Sequence, residues 1–145
     1  MSDSEVLRLF RAAVQNSDAG AMREGLDILF GMADGRGLSA DEEYEVRHPD
    51  YVMEMPQSKE RITGRDAMYA MQQAFPVPPS LTLRRVVGAG QVWVVEGVND
   101  YGGDVWHFVV TLELDDDGRI RRDTRYYAQS TEAPQWRAEW TEPIT

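Results

Sequence analysis

The chain has two histidines and no cysteine, so proton transfer or oxygen binding falls to carboxylates, tyrosines, hydroxyls, arginines and lysines. Without cysteine there is no disulfide, thiolate zinc site, iron–sulfur cluster or cysteine nucleophile. Two histidines are too few for an all-histidine metal centre. The most pointed group is Asp123, Arg125 and Tyr127. Alternate residues of a strand share a face, so a carboxylate, a guanidinium and a phenol would stand side by side there. Such a trio can orient a carbonyl or a water; it can equally be a salt bridge that satisfies itself. With the opposite strand facing, Arg122, Thr124 and Tyr126 take those places. Glu54 is a further acidic position, and it points away from its neighbour Met55. It is either an inward carboxylate or a charge on the outer sheet surface.

Standard catalytic signatures are missing. There is no phosphate-cradling G-x-x-x-x-G-K-[ST] loop, no G-x-S-x-G elbow, no H-E-x-x-H and no calcium loop. Gly88-Ala89-Gly90 precedes a strand and reads as a turn. His48-Pro49-Asp50 reads as a chain break rather than a metal pair. The balance of 15 Lys and Arg against 25 Asp and Glu leaves −10, which argues against nucleic acid or an anionic membrane as partner. The first residues are acidic where a secretory signal would be basic, and no apolar run approaches the ~20 residues of a membrane helix. The expectation is a cytoplasmic protein of one domain, residues 1–145, with no cofactor.

The elements that must position these residues follow from periodicity. Ser2 and Glu5 form a capping box before Val6, Leu9, Phe10, Ala13 and Val14 at helical spacing, which predicts an extra N-terminal helix over about 3–17. A second helix follows Asp18, with Met22, Leu26, Leu29, Phe30 and Ala33 on one face and Gly35-Arg36-Gly37 as its stop. Ser39 and Glu42 cap a short helix to about Arg47, on which Asp41, Glu42, Glu43 and Glu45 read as solvated charges. Tyr51–Met55 reads as a strand ended by Pro56, and 57–64 as a polar loop. Thr63 caps a helix from Arg65 to about Phe75 that carries Met68, Met71 and Phe75 on one side. Four strands then follow at about 81–88, 91–100, 104–114 and 119–129, separated by Gly88–Gly90, Gly102-Gly103 and Asp115–Gly118. Helices first and a strand meander after predict an α+β fold. A sheet with apolar residues on both faces needs both covered, which predicts a homodimer through the sheet. In the tail, 130–145, Trp136 and Trp140 stand four apart and read as packing on the body or on a partner.

Several strings together resemble the nuclear transport factor 2-like superfamily, in particular its SnoaL-like members (polyketide cyclase and ketosteroid isomerase relatives). They are His48-Pro-Asp-Tyr-Val-Met-Glu-Met-Pro56, Thr63-Gly-Arg-Asp-Ala-Met68, Val86 to Glu96, Val105-Trp-His-Phe108, and Asp117-Gly-Arg-Ile120 running into Asp123 to Tyr127. The resemblance implies a cone of curved antiparallel sheet wrapped by helices, a cystatin-like α+β barrel. It also implies an apolar pocket between sheet and helices, lined by Met55, Met68, Met71, Phe75, Trp93, Trp106, Phe108 and Val110. The ketosteroid isomerase branch keeps an aspartate at each of two positions that here are Met55 and Val110. The SnoaL-like cyclases keep an acidic group where this chain has Arg125. What the resemblance leaves is Asp123 as acid or base with Arg125 and Tyr127 polarising oxygen, and Glu54 as the weaker alternative. The implied ligand is a small, largely apolar, polyketide-like carbonyl compound. The alternatives are a non-catalytic binder with the same pocket, or a dimeric scaffold.

Overall fold

In a computed structural model that describes residues 4–31, 37–74 and 80–144, the chain opens with a helical hairpin. Helix α1 spans Glu5–Asn16 and α2 spans Ala19–Phe30. Ser4 caps α1 by accepting from Leu7 N, contributing about 1 kcal/mol. Ser2, expected in that role, lies outside the described residues. The two helices meet closely at Gly25, where a Cβ would come within 2.7 Å of the Phe10 ring. Helix α2 ends at Gly31 in the left-handed region, with φ 77°, rather than at the later glycines. Gly35, Arg36 and Ala33 lie outside the described residues.

Helix α3 (Ala40–Val46) begins with the expected capping box of Ser39 and Glu42 and runs directly into strand β1 (Arg47–Met55). His48-Pro49-Asp50 therefore does not break the chain. The β1 register slips between Arg47 and Val52, and Pro49 sits in that irregular stretch, where it need not donate to the ladder. The expected loop over 57–64 contains an edge strand, β2 (Glu60–Thr63), paired with β1 around a turn that has Lys59 at φ 61°. Thr63 ends that strand instead of capping the next helix. Four residues are too few for alternation to signal a strand. Helix α4 (Arg65–Ala74) follows.

Strands β3 (Ser80–Ala89), β4 (Val92–Asp100), β5 (Val105–Leu114) and β6 (Ile120–Gln129) form the expected meander. Six strands make one curved, open sheet in the order β2-β1-β6-β5-β4-β3. Every pair is antiparallel except β1 with β6, so the sheet is mixed. The fold is α+β, of the cystatin-like type.

Inward residues follow strict alternation: Tyr51, Met53 and Met55 on β1, Phe108, Val110 and Leu112 on β5, and Asp123, Arg125 and Tyr127 on β6. The core joins them to Val6, Phe10, Met22, Leu26 and Trp93. Gly97 lets the sheet curve inward: a Cβ there would meet Thr82 O at 2.4 Å and the Phe108 ring at 2.5 Å. Beyond β6 the tail forms only a 3₁₀ turn, Gln135–Arg137. Trp136 and Trp140 do not pack on the body; they are 73% and 75% exposed. Among the described residues no helix is long and apolar enough to cross a membrane.

Candidate functional site

Between the inward sheet face and helices α2, α3 and α4 lies a cavity of about 580 Å³, a size usual for small-molecule sites. Its wall is mostly Leu, Met, Val and Phe, with polar groups gathered mainly where β1, β6 and α3 meet. Asp123, Arg125 and Tyr127 all line it, so the inward facing of β6 is the odd-numbered one. Thr124 and Tyr126 face the other way.

Asp123 is buried at 3% exposure and accepts three hydrogen bonds. Arg125 donates through Nε to Oδ1 at 2.8 Å and through Nη2 to Oδ2 at 3.3 Å. The Tyr51 hydroxyl donates to Oδ2 at 2.5 Å. Burial raises the Tyr51 pKa, and the neighbouring carboxylate of Asp123 adds to the rise against the pull of Arg125 and Arg47. The phenol therefore keeps its proton and acts as a donor. Burial works against the charge of Arg125, but the Asp123 carboxylate, the Tyr51 oxygen and the shared hydrogen bond outweigh it. The net pKa lies well above the ordinary arginine value. Arg125 is thus a fixed cation on the cavity wall, and among the described residues nothing bonds its Nη1. The donor left over is the guanidinium edge, while the carboxylate is largely occupied.

Tyr127 is held from behind. The Gln57 side chain brackets its backbone, donating from Nε2 to Tyr127 O at 2.6 Å and accepting from Tyr127 N at Oε1. The turn between β1 and β2 thereby fixes the end of β6.

A second polar group comes from the helices. Glu43 on α3 lines the cavity and accepts from Gln72 Nε2 of α4, and its Oε1 lies 3.7 Å from Arg47 Nη2. Burial raises its pKa, opposed by Arg47, the Gln72 bond and Arg125, while Asp123 pushes the same way as burial. Glu43 is therefore not part of a solvated face; only Asp41, Glu42 and Glu45 stand outward as expected. The signal available was spacing: Glu43 lies three residues before the buried Val46 and four before Arg47, on one helix face. Tyr51 was also missed, although it shares strand parity with Met53 and Met55. Asn99 lies on the cavity wall by parity with Val95.

Met55, Met68, Met71, Phe108 and Val110 line the cavity. Trp93 and Trp106 do not. Trp93 faces inward but is fully buried in the core, its indole N–H bonded to Gly90 O at 2.8 Å. Trp106 sits at the far end of β5, where Asp104 takes its N–H at 3.1 Å. Phe75 lies outside the described residues. Glu54 is not a cavity group: it lies on the outer sheet face, where it accepts from Arg61 at 2.9 Å and from Arg122. His107 also faces outward, 3.2 Å from Ser130 Oγ. Among the described residues no cluster of three His, Asp or Glu side chains could hold a metal ion.

Solved structures share this arrangement of helices and sheet. An NTF-2 like protein of unknown function from Burkholderia xenovorans LB400 is 27% identical, over 97% of this chain and 96% of that one, with a TM-score of 0.68. The chain has the fold of the nuclear transport factor 2-like superfamily. A candidate ketosteroid isomerase from Kribbella flavida is 28% identical, over 100% of this chain and 94% of that one, with a TM-score of 0.68. An LEH-like epoxide hydrolase from M. tuberculosis shares the fold at 18% identity, over 86% of this chain and 83% of that one, with a TM-score of 0.52. No family model and no curated protein matches the sequence.

Proposed function

We propose that this chain binds a small, largely apolar carbonyl compound in the cavity, with the carbonyl oxygen on Arg125. One observation carries the reading: in a mostly apolar cavity, a half-buried guanidinium keeps an unused donor, Nη1, while Asp123 and Tyr51 hold it in place. A charge-assisted hydrogen bond in such surroundings is strong and directional. Asp123 serves as counter-ion and positioning group, because its oxygens already accept from three donors. Tyr127 adds a phenol beside the same oxygen. The likeness to a candidate ketosteroid isomerase supports a ring-sized apolar ligand. The double-bond shift of that branch does not follow, since a thioether at Met55 and an isopropyl group at Val110 carry no proton.

The second reading is cofactor-free acid/base chemistry on a polyketide-like carbonyl, as in SnoaL-like cyclases. It is favoured by Glu43, a cavity carboxylate whose raised pKa suits proton carriage. In either case residues 1–145 act as one domain in the cytoplasm. The outer sheet face pairs with a second copy around Val109 and Tyr126, which are 38% and 45% exposed and adjacent in register.

Calorimetric titration with 2-acetylnaphthalene tests the reading. Wild type is expected to bind one equivalent with a negative heat-capacity change, the mark of apolar burial. Val110→Trp, which fills the cavity, is expected to lose binding. Equal binding by both proteins, or none by wild type, contradicts the proposal.

A further inference from the structure

The tail beyond β6 carries large apolar side chains that its own body does not cover. Residues 130–144 are exposed throughout, and Trp136, Trp140 and Ile144 stand at 73%, 75% and 82% exposure. The turn that holds the indoles is bonded within the tail: Arg137 N donates to Pro134 O, Ala138 N to Gln135 O and Trp140 N to Arg137 O. Tryptophan is the costliest side chain to leave in water, and two of them spaced four apart form one apolar edge.

The exit of the tail gives its direction. Ser130 Oγ lies 3.2 Å from Nε2 of His107, which stands on the outer sheet face, so the tail leaves the body on that side. Residues 130–134 form no helix or strand, and Pro134 is extended at φ −63° and ψ 141°. A proline in that shape stiffens the exit and holds the indoles off their own body. Identical copies exchange segments from such a geometry.

Area points to the same partner. Register places Val87, Val92, Val109 and Tyr126 on the outer face, at 38–50% exposure. They offer roughly 300 Å² per copy, an ordinary patch for a monomer. A stable pair buries about 1,200–2,000 Å² in total. Four indoles from two tails, each three-quarters exposed, add roughly 600–700 Å² before the surface they cover is counted. An anionic lipid surface fits less well, because the tail sets Glu132, Glu139 and Glu142 against Arg137 on a chain of net charge −10.

We infer, resting on the pairing of outer sheet faces, that residues 130–144 are an arm that crosses to a second copy. Each copy lays Trp136 and Trp140 on its partner beside the Val109 and Tyr126 patch, and receives the partner's indoles in return. The pair is then a reciprocal clasp built on the sheet contact.

Trp136→Ser with Trp140→Ser tests the arm, since both side chains are free of the body and the fold is expected to be kept. Sedimentation equilibrium gives the dimer dissociation constant of wild type and variant, and acrylamide quenching of tryptophan fluorescence is followed over the same concentrations. Wild type is expected to dimerise at micromolar concentration, with quenching that falls as dimers form. The variant is expected to dimerise about 100-fold more weakly or worse, with unchanged circular dichroism, since buried tryptophans are frequent hot spots. A dissociation constant within about 3-fold of wild type overturns the arm and leaves the sheet pairing standing. A wild type that stays monomeric overturns both. Indoles shielded from acrylamide in dilute monomer place the arm on its own body, which also overturns the inference.

Discussion

Removing the charge of Asp123 tests whether the polar end of the cavity is built as described. The Asp123 side chain is 4% exposed and that of Arg125 21%, so the pair is largely withdrawn from water. Asp123→Asn keeps the shape but leaves a half-buried guanidinium without its counter-ion. Breaking a buried pair in this way costs about 3–5 kcal/mol. Arg125 opens partly onto the cavity and regains some solvation there, which places the expected cost near the lower end, about 3 kcal/mol. Tyr51→Phe removes one donor and leaves Oδ2 with Arg125 alone, at about 1–2 kcal/mol. The pair Asp123→Leu with Arg125→Met removes both charges together and is expected to return to within about 1 kcal/mol of wild type. Urea unfolding with a common slope for all four proteins measures these differences. If Asp123→Asn costs less than about 0.5 kcal/mol, or the double variant is no more stable than Asp123→Asn, the coupled pair is refuted.

Three further outcomes follow from other sites. Gly97→Ala is expected to lower stability by about 1–3 kcal/mol through the clash with Thr82 O and Phe108; an unchanged melting temperature would contradict that close approach. Glu43 has a folded-state pKa above its ordinary 4.5, so wild type should be best favoured relative to Glu43→Gln below that pH. Its relative stability should decline as pH rises through the raised value and then level off, and urea titrations showing a pH-independent difference would refute this. Val109→Glu with Tyr126→Glu is expected to convert a dimer to a monomer with unchanged circular dichroism; sedimentation giving a monomeric wild type at micromolar concentration would dismiss the interface.

The meander was legible because its turns are written in glycine and aspartate, and the strands between them alternate cleanly. Gly102-Gly103 and Asp115–Gly118 separate β4, β5 and β6 as read, while Gly88 and Ala89 belong to β3 and its turn to β4 falls at Gly90 and Gln91. Two features escaped because context overrides local rules. Pro49 ordinarily ends a strand, but a register slip beside β6 absorbs it. Strand β2 is four residues long and exists through pairing with β1. At the site, Asp123, Arg125 and Tyr127 were legible from period two alone, while which face of β6 turned inward needed the sheet. Glu43 hid in an acidic run of a short helix whose burial depends on α4 and β1 packing against it. Trp93 shows the reverse error: its inward parity was legible, but its place in the core rather than on the cavity wall depended on its position along β4.

A crystal structure of the protein with 2-acetylnaphthalene tests the central claim most directly. The predicted result is the ketone in the cavity with its oxygen about 2.7–3.2 Å from a guanidinium nitrogen of Arg125 and its rings against Met55, Met68 and Val110. A cavity without ligand, or a ketone oxygen turned away from Arg125, would contradict the account.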